Sequence, residues 1–391
     1  MKRILFLFVV LCGCLAASAQ TMRVWQGGEY RAVTAAEAGE MTFGFFGRNI
    51  TIGGTTYAVA DIDSITMAPA VSTDGRVVVT WSGTTATVQV PSTVTGVTYR
   101  CTGANVSITS TNTTDEVEYV LRGSSTDGSL LFNGEYKCTF ILDGLQLTSA
   151  TTAPIDIECG KRINLQLADG TVSTLEDAAG GDQKAALYTK GHIEIGGAGT
   201  LNVTGRARHG IASKEYCQLK RTTGTVNILA AASDGIHAGQ YFQMNGGNLT
   251  ITANVGDAIQ AEATTDPEDE KNGQMIIKGG TITASATSDD VKCLKADTDI
   301  TISGGTLRLT ASGAGSRGIQ TDGSLLINED DARTVIDITA TGDQYDDGTG
   351  DKSRCWGIKV KGNLTRNAGT VKISASGKAK EYKADGTVTG M

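Results

Sequence analysis

Seven acidic side chains recur at spacings that would align them along one edge of a repeating fold. They are Asp234, Asp257, Asp289, Asp290, Glu262, Asp297 and Asp322. Carboxylates stacked ~5 Å apart repel one another unless a cation lies between them, and Ca²⁺ takes roughly six to eight oxygen ligands. The pattern therefore predicts a calcium site. The alternative is that each aspartate accepts backbone N–H groups at a turn, a role that needs no metal.

This alignment depends on two short motifs that recur through most of the chain. One is Gly-Thr or Gly-Asn followed by alternating aliphatic residues, and the other is a small residue followed by Ile or Leu. The aliphatic residues of the second motif are Leu187, Ile211, Ile236, Ile259, Leu294, Ile319 and Ile358. Four of the six intervals between them are 23 to 25 residues, and the two longer intervals contain the acidic inserts 264–273 and 343–351. The chain therefore has a repeat of about 24 residues.

The residue pattern within each repeat is that of short β-strands. Apolar and polar residues alternate over a few positions and the alternation stops at Gly, Asn or Asp. A leucine-rich repeat would need a Leu-x-Leu ladder, and a propeller blade needs ~40 residues. The pattern predicts an all-β protein, a right-handed parallel β-helix with rungs ~4.8 Å apart. We divide the chain into a signal peptide (1–19), a small N-terminal β unit (20–70), a β cap leading into the helix (71–114) and the parallel β-helix (115–391).

The residues that follow the aliphatic positions form a polar strip on the outside of the predicted helix. The candidate ligand-binding residues in this strip are Tyr188, His237, Gln260, Lys295, Gln320 and Lys359. A rung spacing of ~4.8 Å approximates a sugar repeat of ~5 Å, so an extended polysaccharide can lie along the strip. Exposed rings that stack on sugars are expected at Tyr188, Tyr216, Tyr241, Phe242, Tyr345 and Trp356. The alternative is an ordinary solvated strand surface.

The first twenty residues have the features of an export signal. Lys2-Arg3 precedes an apolar run, and Ala17-Ser18-Ala19 forms a cleavage site before Gln20. The segment around Cys14 also resembles a lipobox, in which Cys14 would be acylated. Either route predicts a secreted, periplasmic or cell-surface protein. The six later cysteines permit disulfides there, but their wide spacing favours small buried thiols instead. They are Cys101, Cys138, Cys159, Cys217, Cys293 and Cys355.

Composition and charge narrow the choice of partners. The 391 residues carry a formal net charge of −8. Nucleic-acid binding requires clustered Lys and Arg, so no nucleic-acid partner is expected. No stretch after the signal approaches ~20 apolar residues, so no transmembrane segment is expected either. We expect a monomer whose partner is a polysaccharide, with acidic polysaccharides among the candidates.

The order of several motifs resembles one family of exported proteins. Asp143-Gly144-Leu145 is followed by Ile155-Asp156-Ile157, then Ser233-Asp234-Gly235-Ile236 and repeated Gly-Gly-Thr-Ile strings. Together, over residues 71–391, they resemble a family of secreted bacterial carbohydrate-binding parallel β-helices. Its described member is a calcium-containing protein of a clostridium that binds cellulose and acidic pectic polysaccharide. Residues 20–70 resemble leaders of exported Bacteroidetes proteins. The resemblance implies binding without established catalysis, and Ca²⁺ held by acidic residues at rung turns.

Three functions remain as predictions from the sequence. The first is a calcium-stabilised, non-catalytic polysaccharide-binding protein, and the second is a surface adhesin or structural rod without a sugar site. The third is a pectate-lyase-like enzyme, whose calcium and base would come from Asp234, Asp257, Lys292, Lys295 and Arg317. Glycoside hydrolysis is disfavoured, because the order of the paired aspartates and the Arg208-His209-Gly210 segment does not match that of polygalacturonases.

Overall fold

A computed structural model of the chain describes residues 21–391, apart from 27–28, 35–40, 45–46, 53, 69–74, 253, 347 and 349–351. The predicted signal peptide and Cys14 lie outside the described residues. Contacts divide the chain into two units, Met1–Asp74 and Gly75–Met391.

The first unit is built from short antiparallel strands. Its two three-stranded sheets contain Thr21–Gln26, Glu29–Thr34 and Ser64–Ala68, and Thr42–Gly44, Asn49–Ile52 and Thr55–Ala58. A 3-10 turn, Val59–Asp61, follows the last of these strands. Apolar residues on alternate positions, Val24, Val33, Ile50 and Ile52, form its small core.

The second unit is a parallel β-solenoid of about 11 turns with rungs of about 25 residues, as predicted. One side of each rung contributes a strand to a 12-stranded sheet, whose neighbouring strands are parallel except for the first pair. The strands of the 12-stranded sheet are Val97–Thr102, Asn105–Ser110, Ser129–Gly134, Ile155–Glu158, Ala185–Thr189, His209–Ser213, Ile236–Ala238, Ile259–Ala261, Lys292–Ala296, Arg317–Thr321, Trp356–Val360 and Lys380–Ala384.

The rest of each rung contributes to a 19-stranded sheet that closes the solenoid. Its strands are Val77–Ser82, Thr85–Gln89, Val117–Ser125, Cys138–Thr148, Ile163–Leu167, Val172–Glu176, Ile193–Gly196, Thr200–Gly205, Cys217–Leu219, Thr225–Ala231, Phe242–Met244, Asn248–Ile251, Met275–Ala286, Ile300–Ala311, Leu325–Ile327, Thr334–Ala340, Leu364–Arg366, Thr370–Ala375 and Val388–Thr389. The second long insert carries a two-stranded ribbon, Tyr345–Asp346 with Lys352–Ser353.

The predicted aliphatic column is one continuous row inside the solenoid, which we call the inner file. Leu187 pairs with Ile211, Ile211 with Ile236, and the register continues without a slip to the last member. All seven side chains are fully buried. Since a slip of one residue would turn every side chain to the opposite face, this file fixes which residues point outward.

A small residue precedes each inner-file position because the two sheets approach closely there. A Cβ added to Gly235 would lie 2.5 Å from Ile251 Cγ2 and 2.7 Å from the Ala258 carbonyl oxygen of the next rung. A larger side chain would therefore force the sheets apart.

Two antiparallel hairpins cover the first rung. Thr85–Gln89 pairs with Val77–Ser82 at the edge of one sheet, and Val97–Thr102 pairs with Asn105–Ser110 at the edge of the other. These hairpins occupy the segment predicted as a β cap, and the inner strand of each also pairs in parallel with the solenoid. Such covering protects the exposed end of a parallel stack.

All six cysteines after the signal are free thiols, and five of them are buried. The prediction that most of them are small buried residues is confirmed, and Cys101 is half-buried. Burial raises the pKa of Cys217 and of Cys293 to about 12, so neither thiol is reactive at neutral pH.

Candidate functional site

The residues two positions before the inner file form a second row, the corner file, and its two aspartates bind the backbone of the next rung. The backbone N–H of Asp257 donates to Asp234 Oδ1 at 2.9 Å, and that of Lys292 donates to Asp257 Oδ1 at 2.8 Å. The predicted stacking of Asp234 and Asp257 is therefore present. One oxygen of each carboxylate satisfies a buried backbone donor, and the other oxygen is left for side chains.

Glycine allows this close approach between rungs. A Cβ at Gly256 would lie 2.5 Å from Asp234 Oδ1. The Asp234 carboxylate therefore packs directly against the backbone of the following turn, and it is 6% exposed.

Two histidines converge on the second oxygen of Asp234. His209 Nδ1 lies 3.2 Å and His237 Nδ1 lies 3.0 Å from Asp234 Oδ2, and the two imidazole rings stack with centroids 4.6 Å apart. The Nε2 atom of His237 lies 3.1 Å from Glu262 Oε2. We call these four residues the histidine cluster. His209 comes from the corner file and His237 from the strand face, which brings them together across adjacent rungs.

The two stacked aspartates differ in acidity. Burial raises the pKa of Asp234, but hydrogen bonds and charge from His209 and His237 outweigh it, so the pKa lies well below its usual range. Burial dominates at Asp257, whose pKa is raised although Lys292 and Lys295 oppose the shift. Lys295 Nζ lies 3.6 Å from Asp257 Oδ2. The electrostatic environment of the corner file therefore changes from one rung to the next.

Further along the corner file, cations replace the acids. Lys292 and Arg317 both contact Asp290, with Lys292 Nζ 3.2 Å from Oδ2 and Arg317 Nη1 2.9 Å from Oδ1. Arg317 is 4% exposed and also donates to Ser353 Oγ at 2.6 Å. Burial raises the pKa of Asp290, and the charges of Lys292 and Arg317 lower it by more. Lys292 and Arg317, proposed above as a lyase base, are thus held in ion pairs.

The other predicted calcium ligands also contact protein groups. Asp289 Oδ1 accepts the Ala314 N–H at 3.0 Å, and Asp297 Oδ2 accepts the Ala263 N–H at 3.0 Å. Asp322 forms an exposed ion pair with Lys361. The backbone places Glu262, Asp297 and Asp322 on successive rungs, as predicted, since each N–H bonds to the preceding turn. Calcium binding by these residues stays a prediction.

The strand positions that follow the inner file form the outer file, which contains the predicted ligand-binding residues. His237 is in register with Gln260, Gln260 with Lys295, and Gln320 with Lys359. Burial and the nearby charges of Arg317 and Lys383 lower the pKa of Lys359. Cations therefore accumulate toward the C-terminal end of the outer file, where Lys359 is in register with Lys383 of the next strand.

A groove of about 420 Å³ opens beside the histidine cluster. Its lining includes Lys184, Tyr188, Arg208, His209, Lys214 and His237. Its lining carries three cations and one carboxylate, that of Glu262, so the net charge of the groove favours an anionic ligand.

The prediction of exposed stacking aromatics is wrong at three positions. Tyr188 is 5% and Tyr241 is 6% exposed, and Phe242 points into the core. The ring of Tyr188 is covered by Lys184, whose Nζ lies 4.3 Å from the ring centroid and donates to the hydroxyl at 2.9 Å. Phe242 alternates with outward Gln243, and this alternation was the signal in the sequence for an inward ring.

The histidine cluster was the part of the site that sequence reasoning missed. Stacked carboxylates suggested repulsion relieved by calcium, whereas Asp234 is in contact with two imidazoles. The sequence does contain a pattern that points to the cluster: His209 precedes Asp234 in the corner file, and His237 lies three residues after Asp234. Within the described residues, three of its members, His209, Asp234 and His237, are the one group of three His, Cys, Asp or Glu side chains whose donor atoms lie within 4.8 Å of one another.

Fold and site together define a parallel β-solenoid that presents an in-register polar file from a rigid sheet. The model of a family described as "Carbohydrate-binding domain-containing protein" matches residues 102–390, and the chain belongs to this family. A relative with the same description, from Acetivibrio thermocellus, is 30% identical over 132 residues. That match covers 31% of this chain and 46% of the relative, so the chain spans about half of the relative's length.

A solved structure has a similar fold. The polysaccharide lyase-like protein from C. thermocellum, a gadolinium derivative, superposes with a TM-score of 0.55 at 23% sequence identity. The match covers 66% of this chain and 98% of that one. At this identity the similarity establishes the solenoid fold alone. None of the helices among the described residues is long and apolar enough to cross a membrane.

Proposed function

We propose that the protein is an exported, non-catalytic binder of acidic polysaccharide, and that the sugar chain lies lengthwise along the outer file. The family supports carbohydrate as the ligand class. The observation that carries the proposal is the unbroken register of the outer file, which repeats side chains at the rung spacing of ~4.8 Å. A polysaccharide of similar repeat can meet a side chain at the equivalent position of each rung.

The distribution of charge supports an acidic ligand. Lys295 and Lys359 lie on the outer file, and Lys383 continues it on the last rung. The formal net charge of the chain is −8, so these cations form a local exception. A uronate chain would bring carboxylates to this stretch, and its affinity would fall as salt screens the attraction.

Export and calcium are further parts of the proposal. The N-terminal pattern of the sequence supports export, and the acidic rung turns support calcium as a stabiliser. A calorimetric Ca²⁺ titration of the mature protein tests the second point. Heat of binding with a higher melting temperature is expected, and an unchanged melting temperature in Ca²⁺ and in chelator would refute it.

The ligand proposal is tested by removing two cations from the outer file. The Lys295→Ala/Lys359→Ala variant should bind polygalacturonate at least about tenfold more weakly than the parent protein, as measured by affinity electrophoresis. The matched control is Arg308→Ala/Lys372→Ala, which removes two exposed cations from the 19-stranded sheet. Equal losses in both variants would show that only net charge matters. Equal retention of cellulose and polygalacturonate by the parent would refute an acidic ligand.

A further inference from the structure

We infer that His209, Asp234 and His237 form a zinc-binding site with one coordination position open to the groove. This site shares His237 with the outer file, but zinc binding is measured without any polysaccharide, so the two proposals can fail separately. It differs in ligand chemistry from the calcium predicted at the acidic turns.

The hydrogen bonds around the cluster leave three electron-pair donors facing one another. In the tautomer whose Nε2–H donates to Glu262, His237 presents the lone pair of Nδ1 to Asp234. The Asp234 backbone N–H lies 3.2 Å from His209 Nδ1, which therefore also presents a lone pair. Both nitrogens face the ionised Asp234 Oδ2 at 3.0 to 3.2 Å. A cation bound among these three atoms would take the place of the hydrogens that otherwise link each imidazole to the carboxylate.

The distances match tetrahedral zinc. Zn–N and Zn–O bonds of ~2.0 Å separate tetrahedral ligands by about 3.3 Å, close to the observed contacts of Asp234 Oδ2 with the two histidines. Binding would replace the long contact between the Asp234 N–H and His209 Nδ1. His237 is partly exposed and both imidazoles line the groove, so water or a ligand oxygen can complete the coordination.

The donor set favours zinc over calcium. Imidazole nitrogen suits Zn²⁺ and related transition metals, whereas Ca²⁺ requires roughly six to eight oxygens. The outer contacts are also typical of zinc sites. Glu262 fixes the His237 ring through its second nitrogen, and Asp257 N–H fixes the Asp234 carboxylate. Gln260, with its amide nitrogen toward Asp234, donates to Oδ2 at 3.2 Å.

The key variant is Asp234→Asn, because it preserves the fold contact while removing the metal ligand. Asn keeps the Oδ1 acceptor for the Asp257 N–H, and its amide can donate to the two histidines. Isothermal titration of the tag-free mature protein with Zn²⁺ should show one site, and Asp234→Asn should weaken it at least about a hundredfold. Glu262→Gln should weaken it about 10- to 100-fold, as for other residues that orient a metal ligand.

The matched control is His192→Gln, which removes the third histidine of the chain. His192 Nδ1 lies 2.6 Å from Glu215 Oε2 and its ring stacks on Tyr216, outside the cluster. This variant should keep the parent's zinc affinity. Co²⁺ should give the visible absorption of a four- or five-coordinate site in the parent and in His192→Gln, and lose it in Asp234→Asn. No zinc heat in the parent, equal affinity in Asp234→Asn, or displacement of Zn²⁺ by equimolar Ca²⁺ would overturn the site.

Discussion

Two stretches of the 12-stranded sheet share one backbone and differ in the chemistry of their side chains. In the strands from His209 to Ala261, the corner file presents a carboxylate to two imidazoles. In the strands from Lys292 to Val360, the same file presents Lys292 and Arg317 to Asp290. The inner file runs through both stretches with the same register and full burial.

This difference shows that the register of the rungs and the chemistry of the polar side chains are determined by different residues of the solenoid. Aliphatic residues inside hold the rungs in place, so the polar residues around them can change from a carboxylate between imidazoles to a pair of cations without a change of fold. We call the first stretch the histidine stretch and the second the cationic stretch. The two stretches should respond alike to changes in the buried scaffold and differently to changes in their polar side chains.

The largest expected effect is on the shared scaffold. Ile236→Ala in the histidine stretch and Ile319→Ala in the cationic stretch should each lower the free energy of unfolding by about 2 to 5 kcal/mol, because both side chains are fully buried. Urea denaturation measures the loss. The control is Gln320→Ala, whose side-chain oxygen has no hydrogen-bond partner among the described residues and should cost less than about 0.5 kcal/mol. Markedly unequal losses at the two isoleucines would break the comparison.

The next effect concerns the ion pairs of the cationic stretch. Arg317→Ala should lower the free energy of unfolding by about 2 kcal/mol or more, because Arg317 is buried and its removal leaves Asp290 with Lys292 alone. Lys361→Ala breaks an exposed pair with Asp322 and should leave the free energy of unfolding nearly unchanged. If the two variants melted alike, the cations would be surface groups rather than part of the rung.

A smaller effect lies before the histidine stretch, where Asp156 is in register with Tyr188. Burial and then the charge of Glu158 raise the pKa of Asp156 to about 6 from 3.8, against the charge of Lys184. The folded protein therefore holds this proton more tightly than the unfolded chain. Its contribution to stability is complete below about pH 4 and is lost as the pH rises through about 6.

Asp156→Asn should accordingly raise the melting temperature above about pH 6 and leave it unchanged near pH 4. The corresponding gain in the free energy of unfolding above about pH 6 should be only about 1 kcal/mol, because solvent screens the partly exposed carboxylate. The control Glu118→Gln changes an exposed carboxylate and should shift neither measurement. A gain that is the same at both pH values would show that charge is not the cause.

The smallest effect is expected from reducing agents. All six cysteines after the signal are free, so no covalent link holds either stretch. A thiol reductant should shift the melting temperature by less than about 1 °C. A large loss of stability on reduction would show that disulfides, rather than stacked side chains, fix the register.

The fold was accessible from the sequence because the solenoid repeats one physical constraint. From Leu187 to Ile358 each rung has an inward aliphatic residue after a small one, so Ile211, Ile236 and Ile259 recur at nearly constant spacing. The acidic inserts interrupt the spacing without altering the pairing of Ile259 with Leu294. Periodicity therefore predicted both the inner file and the outward direction of its neighbours.

The partners of the polar side chains were less accessible, because they depend on reach and rotamer rather than on period. Stacking predicted that Asp234 and Asp257 are neighbours, but not that a backbone N–H of one binds the carboxylate of the other. His209 and His237 meet at Asp234 because of the orientations of their imidazole rings. Burial of Tyr188 follows from Lys184 folding over its ring, which no spacing indicates.

The most direct test of lengthwise binding is a titration with galacturonate oligomers of increasing length. From Tyr188 to Lys359 the outer file crosses six rung steps, about 29 Å. Calorimetry should show affinity that grows with each added sugar and levels off at about six or seven sugars. Affinity that levels off at about two sugars would place the ligand across the sheet or in a local pocket, and would contradict binding along the outer file.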